Sequence, residues 1–131
     1  MRIILADQHA QPLWALKTLL EAQPEFDLIG EVVDAPGLLI LAEEQPPDLI
    51  LVDYALLGSP IKDLIARLHA LEPTPVIIVM SSDLECSKTV LKGGADAFVS
   101  KGAQPDWFLE KLHKVARQVK LKEDANRTKS L

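Results

Sequence analysis

Two short runs, LILV at Leu49–Val52 and VIIVM at Val76–Met80, are apolar at every position. A strand with one face in water alternates apolar and polar residues, so runs of this kind imply strands buried on both faces, as in a parallel sheet covered by helices. Three further β-rich runs accompany them: Arg2–Ala6 (RIILA), Leu28–Val33 (LIGEVV) and Ala95–Ser100 (ADAFVS). Helical periodicity fills the intervals. Leu13, Leu16, Leu19 and Leu20 make one apolar stripe behind Pro12, a residue suited to a first helical turn. Leu38, Leu39, Leu41 and Ala42 make a second, opened by Asp34 and Pro36 and stopped by Pro46–Pro47. Ile61, Leu64, Ile65 and Leu68 make a third. Ser87–Lys92 is a short fourth helix closed by Gly93–Gly94, and Trp107, Phe108, Leu112, Val115 and Val119 make a fifth. Strict βα alternation predicts an α/β, doubly wound, five-stranded parallel sheet with right-handed crossovers.

The 131 residues suffice for one domain, here 1–121, with 122–131 (KEDANRTKSL from Lys122) lacking an apolar face and reading as a flexible tail or the start of a linker. No apolar run reaches membrane-spanning length, and a single cysteine, Cys86, excludes an internal disulfide framework; both fit a cytoplasmic protein without a membrane partner. Net charge is −5, yet the segment 109–131 holds seven Lys/Arg against three Asp/Glu, a local +4 that leaves −9 on the remainder. So acidic a body is not expected to bind nucleic acid directly.

Ligands of such sheets bind beyond the carboxyl ends of the strands. Those ends hold Asp7, Asp34, Asp53, Ser81–Ser82 and Lys101. Asp34 precedes a helix and reads as its N-cap, and Ser81–Ser82–Asp83 offers a cap for the fourth helix. His9, with no second His or Cys beside it, reads as a loop histidine, and Cys86 as a packing residue. Carboxylates at 7 and 53, hydroxyls at 81–82 and an amine at 101 form the set that phosphoryl chemistry with a divalent cation needs. Carboxylates hold a hard cation, and cation and ammonium together neutralise the transferring group. With strands about 4.8 Å apart, only a long side chain at 101 can reach across to them.

The stretches ILADQHA, GEVVDAPGLLILAEEQPPDLILVD, PVIIVMSSD and LKGGADAFVSKG together resemble the receiver domains of bacterial response regulators, most of all the NarL/FixJ branch, whose members usually carry a LuxR-type DNA-binding domain. The resemblance spans roughly residues 2–121. It implies the flavodoxin-like strand order 2-1-3-4-5. It also implies that Asp53 accepts a phosphoryl group from a histidine kinase, that Ser81 (with Ser82 as a rival) and the aromatic Phe98 switch on activation, and that Lys101 contacts the phosphoryl oxygens. Mg²⁺ would be held by Asp7, Asp53, the backbone carbonyl of Ala55 and, at the position of a second acid, Gln8. The surface of the fourth helix, fifth strand and fifth helix would then change its preference for a partner or a second copy of the chain. Transcriptional output is expected, with DNA reached only through an attached effector domain. The chain itself would not be an enzyme, since a glycine-rich turn after the first strand and an acid two residues after Asp53 are both missing.

Several positions depart from the family pattern. Leu57 stands where a Pro is usual, Ser59–Lys62 replaces an Asp-Gly, and Gly102 follows Lys101. The departure that matters most is Gln8. A carboxylate about 4 Å from a dication gains roughly 8 kcal/mol gross at an effective dielectric near 20, most of it offset by desolvation. A net loss of about 1–3 kcal/mol corresponds to roughly tenfold to hundredfold weaker metal binding. Two readings follow from Gln8: a working receiver with a poorly saturated metal site, or a degenerate receiver acting as a phosphorylation-independent interaction or dimerisation module.

Overall fold

The structure, a computed structural model, describes the backbone of residues 1–130 and the side chains of all but 10–13, 119, 120, 122, 123 and 126–130. The expectations for the side chains of Pro12, Leu13 and Val119 therefore lie outside the described residues. Strands and helices alternate as β1 (Arg2–Ala6), α1 (Ala10–Glu21), β2 (Asp27–Val32), α2 (Ala35–Glu44), β3 (Leu49–Asp53), α3 (Ile61–His69), β4 (Val76–Ser81), α4 (Ser87–Lys92), β5 (Ala97–Ser100) and α5 (Pro105–Ser130), with a 3-10 turn at Leu84–Cys86 before α4. All strands are parallel, in the order β2-β1-β3-β4-β5. Met1–Lys101 form one compact unit, and a second unit begins at Gly102.

Within the first unit the strand order explains the layering. The chain steps from β1 outward to β2, then back over β1 to β3 and onward to β5. A right-handed crossover in each step puts α1 on one face and α2, α3 and α4 on the other. The side chains follow the two-residue period of the strands. Ile4, Ala6, Ile50, Val52, Ile77 and Val79 pack in one cluster with Leu38 and Ala42 of α2, Leu64, Ile65 and Leu68 of α3 and Val90 of α4. Ile3, Leu5, Leu49, Leu51, Ile78 and Met80 point the other way and are equally buried. β1, β3 and β4 are thus buried on both faces, as LILV and VIIVM require. Burying each such side chain contributes about 1.5–3 kcal/mol, which makes these three strands the centre of the unit's stability.

Edges are set by caps. Asp34 accepts a hydrogen bond from the Gly37 N–H at 2.8 Å and starts α2 as expected. α4 ends in a Schellman motif: the Gly94 N–H donates to the Leu91 carbonyl and the Ala95 N–H to the Val90 carbonyl, with Gly94 at φ +108°. Ala95 is consumed by this cap, so β5 begins at Ala97, two residues later than the apolar run suggested. Asp83 caps the 3-10 turn, not α4, by accepting from the Glu85 N–H. β2 starts one residue earlier than expected, at Asp27, which pairs with Arg2.

In the second unit, Phe108, Leu112 and Val115 are buried along one side of α5, at spacings of four and three. Trp107 is 72% exposed and does not share that stripe. Adjacent helical residues point about 100° apart, so Trp107 and Phe108 cannot occupy the same narrow face. α5 also continues to Ser130, through the segment read as a tail. No Gly or Pro interrupts KEDANRTKS, and Lys, Glu, Ala and Arg favour helix without an apolar face.

Candidate functional site

Order reversal beside β1 leaves a crevice at the carboxyl ends of β1 and β3, where ligands bind in open α/β sheets. Asp7 follows β1 directly, its N–H donating to the Val32 carbonyl at 3.0 Å, and its side chain is fully buried. Asp53 is the last residue of β3 and is 3% exposed. Lys101 follows β5, anchored by a hydrogen bond from its N–H to the Ser81 carbonyl at 3.0 Å.

From there Lys101 spans the sheet edge. Its Nζ lies 2.6 Å from Asp7 Oδ2 and 3.2 Å from Asp53 Oδ1. Only a long side chain can reach from the end of β5 across to β1, and Lys101 does so. The opposite oxygens of the same carboxylates face His9, whose Nδ1 is 3.0 Å from Asp7 Oδ1 and 3.5 Å from Asp53 Oδ2. His9 is therefore not a detached loop histidine. Its own N–H donates to Asp7 Oδ1 at 2.9 Å, an Asx turn that folds residue 9 back onto residue 7.

Ser81 ends β4 and is nearly buried. Its Oγ accepts a hydrogen bond from the Asp83 N–H at 3.0 Å, which ties it to the 3-10 turn preceding α4; Ser82 is exposed. Phe98 of β5 pairs with Val79 of β4 and is half-buried against the cluster formed with α2, α3 and α4. Ala55 is exposed in the turn after Asp53. Asp7, Asp53 and Lys101 thus meet directly, with His9 as an unforeseen fourth member, while Ser81 joins them through the backbone of Lys101.

Two buried oxygens in this region make no hydrogen bond among the described residues: Asp53 Oδ2 and Gln8 Oε1. A buried acceptor without a protein donor is costly, and a cation or a water can satisfy it. Two carboxylates and orphaned oxygen acceptors are the donor set of a hard divalent cation such as Mg²⁺, so the residues fit that ion.

Comparison with known proteins agrees with the geometry. The family model described as the response regulator receiver domain matches residues 3–113. The nitrate/nitrite response regulator protein NarL of Escherichia coli (strain K12) is 31% identical over 116 residues, which cover 87% of this chain and 54% of that protein. The transcriptional regulatory protein LiaR of Bacillus subtilis (strain 168) is 32% identical over 103 residues, covering 77% of this chain and 49% of that one. The chain spans about half the length of these curated relatives. Among solved structures, the signal receiver domain of NarL from Mycobacterium tuberculosis superposes with a TM-score of 0.80 at 20% identity, covering 88% of this chain and 95% of that one. Among the described residues, no helix is long and apolar enough to cross a membrane.

Proposed function

The chain belongs to the response regulator receiver domain family, and from that premise we propose that Asp53 accepts a phosphoryl group from a histidine kinase and that the resulting change at α4 and β5 controls an output, transcription by analogy with its relatives. Lys101 carries this reading: one ammonium bridges both buried carboxylates from the far side of the sheet, and Asp53 keeps an oxygen that accepts no hydrogen bond among the described residues.

The Asp53 carboxylate is the nucleophile. It attacks phosphorus, a P–O bond to the carboxylate forms, and the P–N bond to the kinase histidine breaks with its electron pair staying on the ring nitrogen; with the proton already on the other ring nitrogen, the histidine leaves as neutral imidazole. Lys101 Nζ is held where it can neutralise charge on the incoming phosphoryl oxygens. Asp7 and Asp53, with Gln8 Oε1 and the Ala55 carbonyl, would hold Mg²⁺, which would supply further neutralisation of the transferring group. Lys101 then exchanges part of its contact with Asp53 for the phosphoryl oxygens and retains Asp7.

Transmission follows from Ser81. Its Oγ holds the Asp83 N–H at rest, so turning the hydroxyl toward a phosphorylated Asp53 frees the amide that heads the 3-10 turn and α4. Exposed Leu84 and Leu91 move with these elements, and Phe98 lies on the adjoining strand. The phosphoryl group thereby biases an equilibrium between two arrangements of one surface, which a partner or a second copy of the chain would read. Residues 1–121 make up the receiver, and its last helix runs on to Ser130.

The deciding experiment is intact-mass measurement after incubation with acetyl phosphate and Mg²⁺. One phosphoryl adduct, absent without Mg²⁺ and absent in Asp53→Asn, is the expected result. A folded protein that forms no adduct with acetyl phosphate or with a phosphorylated kinase is a degenerate receiver, in which Gln8 accompanies a constitutive interaction surface.

A further inference from the structure

We propose that Asp7 Oδ1, His9 Nδ1 and Asp53 Oδ2 form a mixed nitrogen–oxygen site for a first-row divalent transition ion, with the imidazole at residue 9 supplying the ligand that the neutral Gln8 does not. The inference rests on the reading of this pocket as a cation-assisted phosphoacceptor site and names the class of cation.

Geometry comes first. The three atoms lie within 4.8 Å of one another. Nδ1 shares a hydrogen bond with Asp7 Oδ1 at 3.0 Å, which an ion would replace, and lies 3.5 Å from Asp53 Oδ2. Ions of this class hold imidazole nitrogen and carboxylate oxygen at about 2.0–2.2 Å, which separates neighbouring ligands by about 3.0–3.5 Å between right-angled and tetrahedral coordination. Both measured edges fall in that interval. Independently, Asp53 Oδ2 is buried, faces the imidazole and makes no hydrogen bond. Lys101 occupies the other oxygen of each carboxylate, so an ion at the His9 side need not displace the ammonium.

Chemistry then selects the ion. Mg²⁺ takes oxygen ligands and gains little from imidazole, whereas Co²⁺, Ni²⁺ and Zn²⁺ favour it. His9 is half exposed while Asp7 and Asp53 are buried. One side of the ion would therefore stay open to water or to a phosphoryl oxygen, which a catalytic site needs and a closed structural site lacks.

Titration calorimetry of the full 131-residue chain with Ni²⁺ and with Mg²⁺ tests this, comparing wild type, His9→Asn and Asp53→Asn. His9 is the N-cap of α1 but makes no side-chain capping bond, and Asn is a favoured N-cap, so His9→Asn keeps the helix start; a circular-dichroism melt verifies folding. The ratio of Ni²⁺ to Mg²⁺ affinity is expected to fall at least about tenfold in His9→Asn. Asp53→Asn should lose the same Ni²⁺ heat, and Co²⁺ bound to wild type should show a visible spectrum that changes in His9→Asn. An unchanged affinity ratio in His9→Asn, or Ni²⁺ heat that persists in both variants, overturns the proposal. Acetyl-phosphate labelling with Mg²⁺ is read in parallel. Labelling with unchanged Ni²⁺ binding in His9→Asn sinks the metal assignment alone, and His9-dependent Ni²⁺ binding without labelling under any divalent ion sinks the phosphoacceptor reading alone.

Discussion

Lys101→Met removes one ammonium and keeps most of an apolar stem, so it isolates the charge that holds the two carboxylates together. At 2.6 Å from Asp7 and 3.2 Å from Asp53, that charge is worth roughly 6 and 5 kcal/mol gross at an effective dielectric near 20. Desolvating three groups that are at most 14% exposed offsets most of this. What the variant exposes is the remainder: two buried carboxylates facing one another with only the imidazole between them. Removing one partner of a buried pair typically costs about 3–5 kcal/mol, and about 3 kcal/mol is expected here because the ammonium retains some contact with water. For a chain of this size the melting temperature should fall by roughly 10 °C. Urea unfolding followed by circular dichroism, with EDTA present, should show a lower midpoint at unchanged slope. Adding Asp7→Asn to Lys101→Met should recover at least about 1 kcal/mol, since it removes the repulsion the first change uncovered. A Lys101→Met protein within about 0.5 kcal/mol of wild type, no further stabilised by Asp7→Asn, would refute the view that the ammonium holds the carboxylates.

Other expectations concern the scaffold. Gly94→Ala should cost about 1–2 kcal/mol in urea unfolding, because φ +108° at the end of α4 is strained for any L side chain. Asp34→Ala should cost about 1 kcal/mol by the same measurement, through loss of the hydrogen bond from the Gly37 N–H. Both tryptophans, Trp14 and Trp107, are at least 70% exposed, so native emission should lie close to that of tryptophan in water and be quenched readily by iodide; a blue-shifted, protected spectrum would contradict that exposure.

How much of the fold could be read in advance depended on burial. LILV and VIIVM announced themselves because strands enclosed on both faces need no polar position. β2 is an edge strand, half-buried along most of its length, and its limits lie one residue earlier than its apolar run implies. The Schellman cap hid the true start of β5, because Ala95 satisfies an apolar count whether it extends a strand or closes a helix. Hydrophobicity alone would turn Trp107 inward, yet Phe108 beside it takes the buried stripe. Adjacent apolar residues on a helix compete for one face, and composition does not say which wins.

The site divides along the same physical line. Asp7, Asp53 and Lys101 were legible because each ends a strand, and parallel strands deliver their ends to one edge. His9 was not, because strand periodicity says nothing about a residue two positions beyond the strand. Its place depends on a local competition that Asp7 decides: the carboxylate accepts the backbone N–H of residue 9 and turns the chain back on itself. An acid followed two residues later by a histidine was the available signal, and turn chemistry is what gives it meaning. That same turn bears on Gln8. The group brought against both carboxylates is the side chain of residue 9, so a neutral amide at residue 8 leaves those carboxylates with a ligand beside them. With a neutral amide at residue 8 and an imidazole against both carboxylates, the donors that meet here are oxygen together with nitrogen.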